Sequence, residues 1–284
     1  MKCLKRRDTS IPANLALCLP VGLVVTKLGP GTPVGAPAAP GPSRPAQCGR
    51  SRSGLVATRF LPHYDPFMCN QYAPPSRQRV EEHFGASMQT DEAYRPGIGP
   101  WGRGPLVRQG PCGREALVGQ WALIADNARE AKSAARIMTN NARAESLDSR
   151  PTFRGPWARG QRCLIPADSF LEPNWEGGKN EWWRFRRVDG APWGLAGLWN
   201  TWTDPGTGEL VDSYTMLTMN ADAHTLMRRM HKPDPKYGPN EQDKRSVVVI
   251  EASDFNAWLT GSVEDARALI RLSTTEIFDA GPDR

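Results

Sequence analysis

Three residues far apart in the chain carry types that together suit carbonyl chemistry. Cys69 directly follows Met68. If translation begins at Met68 and that methionine is removed, Cys69 presents an α-amine beside its thiol. An unperturbed α-amine has a pKa of about 7.7–8.0 and a cysteine thiol about 8.5, so both are partly nucleophilic near neutral pH. An amine–thiol pair of this kind condenses with an aldehyde to an imine, and its sulfur then closes a thiazolidine ring. An internal cysteine cannot do this because its nitrogen is an amide; taken alone, Cys69 reads first as an ordinary buried cysteine. Glu172 follows the apolar segment that starts at Cys163 (CLIPADSFLE). A carboxyl among apolar residues suits acid–base work, and a rim carboxylate paired with arginine is the competing reading. His231, in Met230-His231-Lys232-Pro233, is either a proton carrier or a favourable charge at a helix end.

Other chemistry is missing from the pattern. There is no HExxH, G-x-S-x-G or P-loop spacing, and Gly97-x-Gly99-x-x-Gly102 contains Pro100 and lacks a strand–helix setting, so it reads as a loop. None of the six cysteines (Cys3, Cys18, Cys48, Cys69, Cys112, Cys163) shares a C-x-x-C spacing, which argues against a zinc ribbon. The three after residue 68 are an odd number, as suits a reducing cytosol. No metal or cofactor is expected. His63 falls in the leading segment. His83 on a polar helix reads as solvated, and His224 within a helix as structural or catalytic.

Charge is distributed unevenly. The formal net charge of the 284 residues is +6, but residues 1–68 hold 9 Lys+Arg against 2 Asp+Glu, which leaves 27 against 28 for the rest. The body is therefore near neutral, which excludes a uniformly basic nucleic-acid protein and confines any such binding to a local patch. The leading segment has 17 Pro+Gly and no Trp. Residues 29–54 show no hydrophobic period, a composition that cannot offset the entropy of ordering. Residues 2–25 pair basic residues with an apolar stretch interrupted by Pro12 and Pro20. Three readings stand for it: an export signal, a disordered tail, or sequence upstream of a true start at Met68. The chemistry of Cys69 favours the last. The organisation expected is an extension over 1–67, one domain over 68–274 and a tail over 275–284.

The elements needed to hold these residues can be read from period and punctuation. Ser76 caps a helix over 77–84, residues 95–113 read as a Pro/Gly loop, and 116–124 as a strand. Residues 126–137 are Ala-rich and read as helical. Cys163-Leu164-Ile165 is a short buried run ended by Pro166. Residues 182–188, 193–202 and 211–219 read as strands, with Asp204-Pro205-Gly206-Thr207-Gly208 turning the last two antiparallel. Residues 222–230 read as a short helix, 246–251 as a strand, and Ser253 and Ser262 as caps of helices reaching 259 and 272. The class implied is α+β around an antiparallel sheet.

Several blocks, taken in order, resemble one family. These are Met68-Cys69 with Tyr72, Asn141-Ala142-Arg143-Ala144-Glu145, Cys163-Leu164-Ile165-Pro166-Ala167-Asp168-Ser169-Phe170 with Glu172, Ala196-Gly197-Leu198-Trp199, and Asn220-Ala221 before His231. Over roughly residues 68–272 the chain resembles the SOS response-associated peptidase (SRAP) family of abasic-site processing proteins. The resemblance implies a strongly bent antiparallel sheet or open barrel with peripheral helices. It implies a covalent crosslink to abasic sites in single-stranded DNA through Cys69. Glu172 would then orient the amine and shuttle protons, His231 would protonate the sugar ring oxygen, and Asn141 would hydrogen-bond the adduct. Arg143 would hold a phosphate, with Arg150, Arg154 and Arg245 as further DNA contacts, a role for which the guanidinium fork is suited. A monomeric, cytoplasmic protein that associates with the nucleoid on DNA, with no membrane contact, is expected.

The chain departs from the family pattern in three places. Asn70-Gln71 stands where Gly-Arg is common, Lys232 to Gln242 intervenes after His231, and 68 residues precede Cys69. Self-cleavage before Cys69 would also remove them. Two other functions compete: a cysteine peptidase using Cys69, His231 and Glu172, and a non-covalent single-stranded DNA binder. Intact-mass measurement of a chain begun at Met68 is expected to show Cys69 as its first residue; retained Met68 would leave the thiol without its amine.

Overall fold

The computed structural model describes residues 70–132 and 137–284. The expectations for residues 1–67, Met68 and Cys69 lie outside the described residues.

The chain opens with β1 (Gln71–Ala73), α1 (Arg77–Phe84) and β2 (Ala86–Met88), then β3 (Arg103–Gly110), β4 (Gly113–Trp121) and β5 (Asn141–Arg143). After α2 (Pro151–Ala158) come β6 (Arg162–Ala167), β7 (Ser169–Asn174), β8 (Glu181–Arg187), β9 (Trp193–Thr203) and β10 (Leu210–Asn220). The last part holds β11 (Arg245–Val247), β12 (Val249–Ile250), α3 (Phe255–Thr260), α4 (Val263–Ala268) and β13 (Phe278–Pro282). This is the expected α+β arrangement. The strand order β10-β4-β3-β6-β9 is joined end to end because β9 also pairs with β10, so five strands form a closed ring. Four of its pairings are antiparallel; the fifth, Ser213↔Gln120 and Tyr214↔Trp121, is parallel. A second sheet runs β1-β7-β8-β13.

The barrel strands are buried on both faces, which explains their unbroken apolar runs. In β6, Cys163 and Ile165 join a cluster with Leu106, Trp121, Leu195, Tyr214 and Met216, which also takes Tyr72, Phe170 and Phe185 from the second sheet. Leu164 faces the other way, with Val107, Ala196 and Leu217, beneath Val80 and Phe84 of α1 and Trp157 of α2. Gly197 lets β9 lie close against β10 and β6. A Cβ there would lie 2.7 Å from the Thr215 carbonyl oxygen and 2.9 Å from Cys163 Sγ.

Two helix-end signals act as read, whereas Ser253 lies inside a 3-10 turn over Ala252–Asp254 that leads into α3 without a side-chain cap, and α4 ends at Ala268 rather than 272. Ser76 accepts from the Arg79 amide, with Gly85 left-handed at the far end of α1, and Ser262 forms a capping box with Asp265 on α4. The loop read over 95–113 is instead partly strand: 103–110 form β3. Pro105 is tolerated there because β6 pairs with β3 only at Val107 and Arg108, which leaves Pro105 unpartnered on that flank. The Ala-rich stretch is turns and bends over 126–132, while 133–136 lie outside the described residues. Only Met227–Arg229 of the helix read over 222–230 is helical, as a single 3-10 turn. The strand read over 246–251 is split at Val248, whose amide donates to Leu217 and whose carbonyl accepts from Ala196. Residues 275–284, set apart above as a tail, carry β13 along β8, and Phe278 is buried against Phe185 and Trp193. Cys163 is free and buried.

Gly197→Ala is expected to destabilise the domain by about 1–3 kcal/mol through overpacking of the ring, read as a lower urea midpoint at unchanged slope.

Candidate active site

Glu172 lies near the end of β7, and His231 follows the single helical turn at 227–229. The structure joins them: His231 Nε2 and Glu172 Oε2 are 2.8 Å apart, with side chains only 2% and 1% exposed. Among the described residues His231 Nδ1 has no hydrogen-bond partner. A carboxylate on one ring nitrogen orients the imidazole and leaves the other to exchange protons. That pairing can carry a proton to or from a bound group.

His231 is held against its own backbone preference. Its φ of 64° is left-handed, an uncommon state for a residue with a side chain. Three contacts impose it. The His231 amide donates to the Pro173 carbonyl at 2.6 Å, Glu172 takes the ring, and Lys244 Nζ donates to the His231 carbonyl at 2.5 Å and to that of Met230 at 2.8 Å. Lys244 is itself buried, which lowers its pKa. Its backbone is fixed by Asp222, whose carboxylate accepts the Lys244 and Asp243 amides at 2.9 and 3.1 Å. Asp222 and Lys244 were not singled out in the sequence. Their only signal was position, on either side of the inserted segment.

The first described residue lies at the same end of β7. The antiparallel register Gln71↔Leu171 and Tyr72↔Phe170 carries β1 backward toward Glu172, so Asn70 sits just beyond that pairing. Asn70 is buried and its Oδ1 accepts from Asn140 Nδ2 at 3.3 Å. Asn141, next in the chain, is buried on β5 opposite Met216. Asn70 thus ties the entry of β1 to the segment bearing Asn141.

The arginines form a separate neighbourhood. Arg143, Arg150 and Arg245 line a cleft of about 330 Å³ with Glu145, Ser146, Asn220 and Asp243. Arg143 is half exposed and paired with Asp243. Arg245 has only 3% of its side chain exposed and is held by Glu145 at 2.7 Å, Asp243 at 3.0 Å and the Thr218 carbonyl at 3.0 Å. The hydrogen bonds from Arg245 and the Asn220 amide outweigh burial and hold the Glu145 carboxyl below its usual range. Arg150 is exposed before α2; Arg154, exposed on α2, is not among the cleft residues. His224 takes the structural reading: its Nδ1 accepts the Leu226 and Met227 amides at 3.1 Å and its Nε2 meets the Ser273 carbonyl at 2.8 Å.

Residues 68–280 match the family described as SOS response associated peptidase (SRAP). The chain belongs to this family. It is 27% identical over 218 residues to the abasic site processing protein HMCES of Gallus gallus, covering 64% of this chain and 61% of that one. It is 32% identical over 126 residues to the abasic site processing protein YoqW of Bacillus subtilis (strain 168), covering 44% of this chain and 54% of that one. It therefore spans less than two thirds of the length of either relative. A crystal structure of a Bordetella bronchiseptica protein superposes with a TM-score of 0.69 at 34% identity, over 76% of this chain and all of that one.

Lys244→Met in this SRAP chain is expected to lower stability by about 1–3 kcal/mol, because two inward carbonyls lose their donor; urea unfolding monitored by tryptophan fluorescence reads it.

Proposed function

We propose that this chain processes abasic sites in single-stranded DNA by covalent capture through Cys69. The observation that carries this reading is the buried Glu172–His231 pair, with one imidazole nitrogen unpartnered among the described residues, at the end of β7 toward which Asn70 leads. The abasic-site names of the HMCES and YoqW relatives support the choice of substrate.

The chemistry balances without a further reagent. His231 Nδ1 gives a proton to the sugar ring oxygen as the hemiacetal opens, and the C1′ hydroxyl releases its proton back to the imidazole, which frees the C1′ aldehyde. The Cys69 amine adds to C1′, and the carbinolamine loses one water to give an imine. The Cys69 sulfur then adds to the imine carbon and its proton passes to nitrogen, closing the thiazolidine. Glu172 takes the proton released by the attacking amine, returns it to the departing water, and serves the reverse path when the ring reopens. Asn141 hydrogen-bonds the adduct. Arg143 holds a neighbouring phosphate in exchange for Asp243, with Arg150 beside it at the cleft, Arg245 supporting from beneath and Arg154 further along α2. A near-neutral body with one such cleft implies binding that weakens steeply with salt. Cytoplasmic action as a monomer follows as part of the same proposal.

Intact-mass spectrometry tests it. A chain starting at Cys69, incubated with an abasic single-stranded oligonucleotide, is expected to give a heat-stable species equal to both masses less one water. Cys69→Ala, or one residue added before Cys69, is expected to abolish it. A peptidase working through the same thiol would tolerate that added residue. Glu172→Gln is expected to slow adduct formation by roughly 10²-fold, the lower end of general acid–base contributions. Full rates in both variants would overturn the assignment.

A further inference from the structure

The segment after His231 walls a cavity that opens beside the proposed catalytic pair, apart from the arginine cleft. It measures about 540 Å³ and is lined by Trp175, Arg228, Tyr237, Lys244 and His231, with the carboxylates of Glu176, Asp222 and Asp234 engaged by Arg229, by the Asp243 and Lys244 amides and by the Lys236 amide. The segment is pre-shaped. Pro233, Pro235 and Pro239 stiffen it, and the Gln242 side chain stitches it by donating to the carbonyls of Tyr237 at 3.0 Å and Gly238 at 2.8 Å while accepting the Asp234 amide at 2.8 Å. Such a wall needs little ordering on binding.

Its lining points to one kind of ligand. Trp175 is partly buried at the wall, and Lys232 Nζ lies 5.3 Å from the centroid of its ring on one face, which leaves the other face for a flat ligand. Tyr237 presents a second aromatic face, 54% exposed. Arg228 is exposed at the wall, and its guanidinium makes no ion pair among the described residues, unlike its neighbour Arg229, which is held by Glu176 at 2.7 Å. Two aromatic surfaces and an uncommitted guanidinium match the parts of one nucleotide: a flat heteroaromatic base and a phosphate. Stacking on an aromatic side chain is indifferent to base identity, as a seat beside a lesion of any sequence context requires.

We infer that the cavity bounded by Trp175 and Tyr237 seats the nucleotide next to the abasic sugar, with its base against these rings and its phosphate on Arg228. The inference rests on the reading above for the identity of the strand. Placing the seat beside His231 would fix which sugar reaches the catalytic pair, so the insertion would set register along the strand.

The test reads binding without the adduct. Fluorescence anisotropy would compare lesion-free single strands with strands in which every base is replaced by an unreactive base-free spacer. Wild type is expected to bind the base-bearing strand roughly tenfold more tightly, as one aromatic stack allows. Trp175→Ala should remove most of that preference and Trp175→Phe restore it, while Arg228→Ala should weaken both strands alike and lower the salt slope. An undiminished base preference in Trp175→Ala, or none in wild type, would overturn the seat. In parallel, abasic oligonucleotides carrying a spacer on the 5′ or the 3′ side should crosslink more slowly on one side only in wild type, and equally in Trp175→Ala. Equal rates on both sides in wild type would overturn the seat while leaving the crosslink reading intact. Absence of any adduct with correct anisotropy would overturn the crosslink reading alone. Thermal melts of each variant confirm that it folds.

Discussion

A carboxylate and an imidazole buried against each other at 2.8 Å set the demands that the surrounding structure meets. Ionisable groups out of water are costly unless their geometry is well satisfied. Here satisfaction needs β7 and the 230–231 segment in fixed relation. The backbone supplies it, because the His231 amide bonds to Pro173 and Met230 bridges to Asn174. Lys244 then fills the carbonyls on the other side, and Asp222 fixes Lys244. The pair is thus the inner end of a chain of contacts that runs through residues 220–245.

That chain explains how a long insertion can follow His231 without moving it. Both ends of the Lys232–Gln242 segment are pinned, one on β7 and the other through Asp222 and the pairing of β11 with β10. Loop closure grows slowly with length, so the excursion between fixed ends adds little strain. The five-stranded ring beneath supplies the rigidity. It closes only because Gly197 lets β9 approach the β10 backbone. The second sheet, packed through Phe170 and Phe185 on the same core, carries Glu172 at its margin.

Electrostatics are handled locally. Arg245 is buried and committed to Glu145 and Asp243, so it acts first as scaffold, while Arg143 shares Asp243 from a half-exposed position. Carboxylates set against the arginines keep the cleft from becoming a strong general polyanion surface. This agrees with the body's near-zero formal charge, which the leading segment hides in the total of +6.

Local codes were legible in the residues themselves. Ser76 and Ser262 each accept a first-turn amide that has no partner within its helix, and Asp204 to Gly208 must turn, because each signal acts within a few bonds. The family blocks around Asn141, Cys163 and Glu172 were likewise readable, as was the oddity of residues 232–242. What could not be read were effects that arise between distant strands. Pro105 sits in a strand because its neighbour pairs elsewhere, and the expected 222–230 helix gives way to one turn because His231 must be clipped to Pro173. By itself the sequence determined which chemical groups are present and where the chain turns. Only the tertiary structure decided that Glu172 and His231, 59 residues apart, share one hydrogen bond, because burial and register across sheets have no counterpart in local spacing.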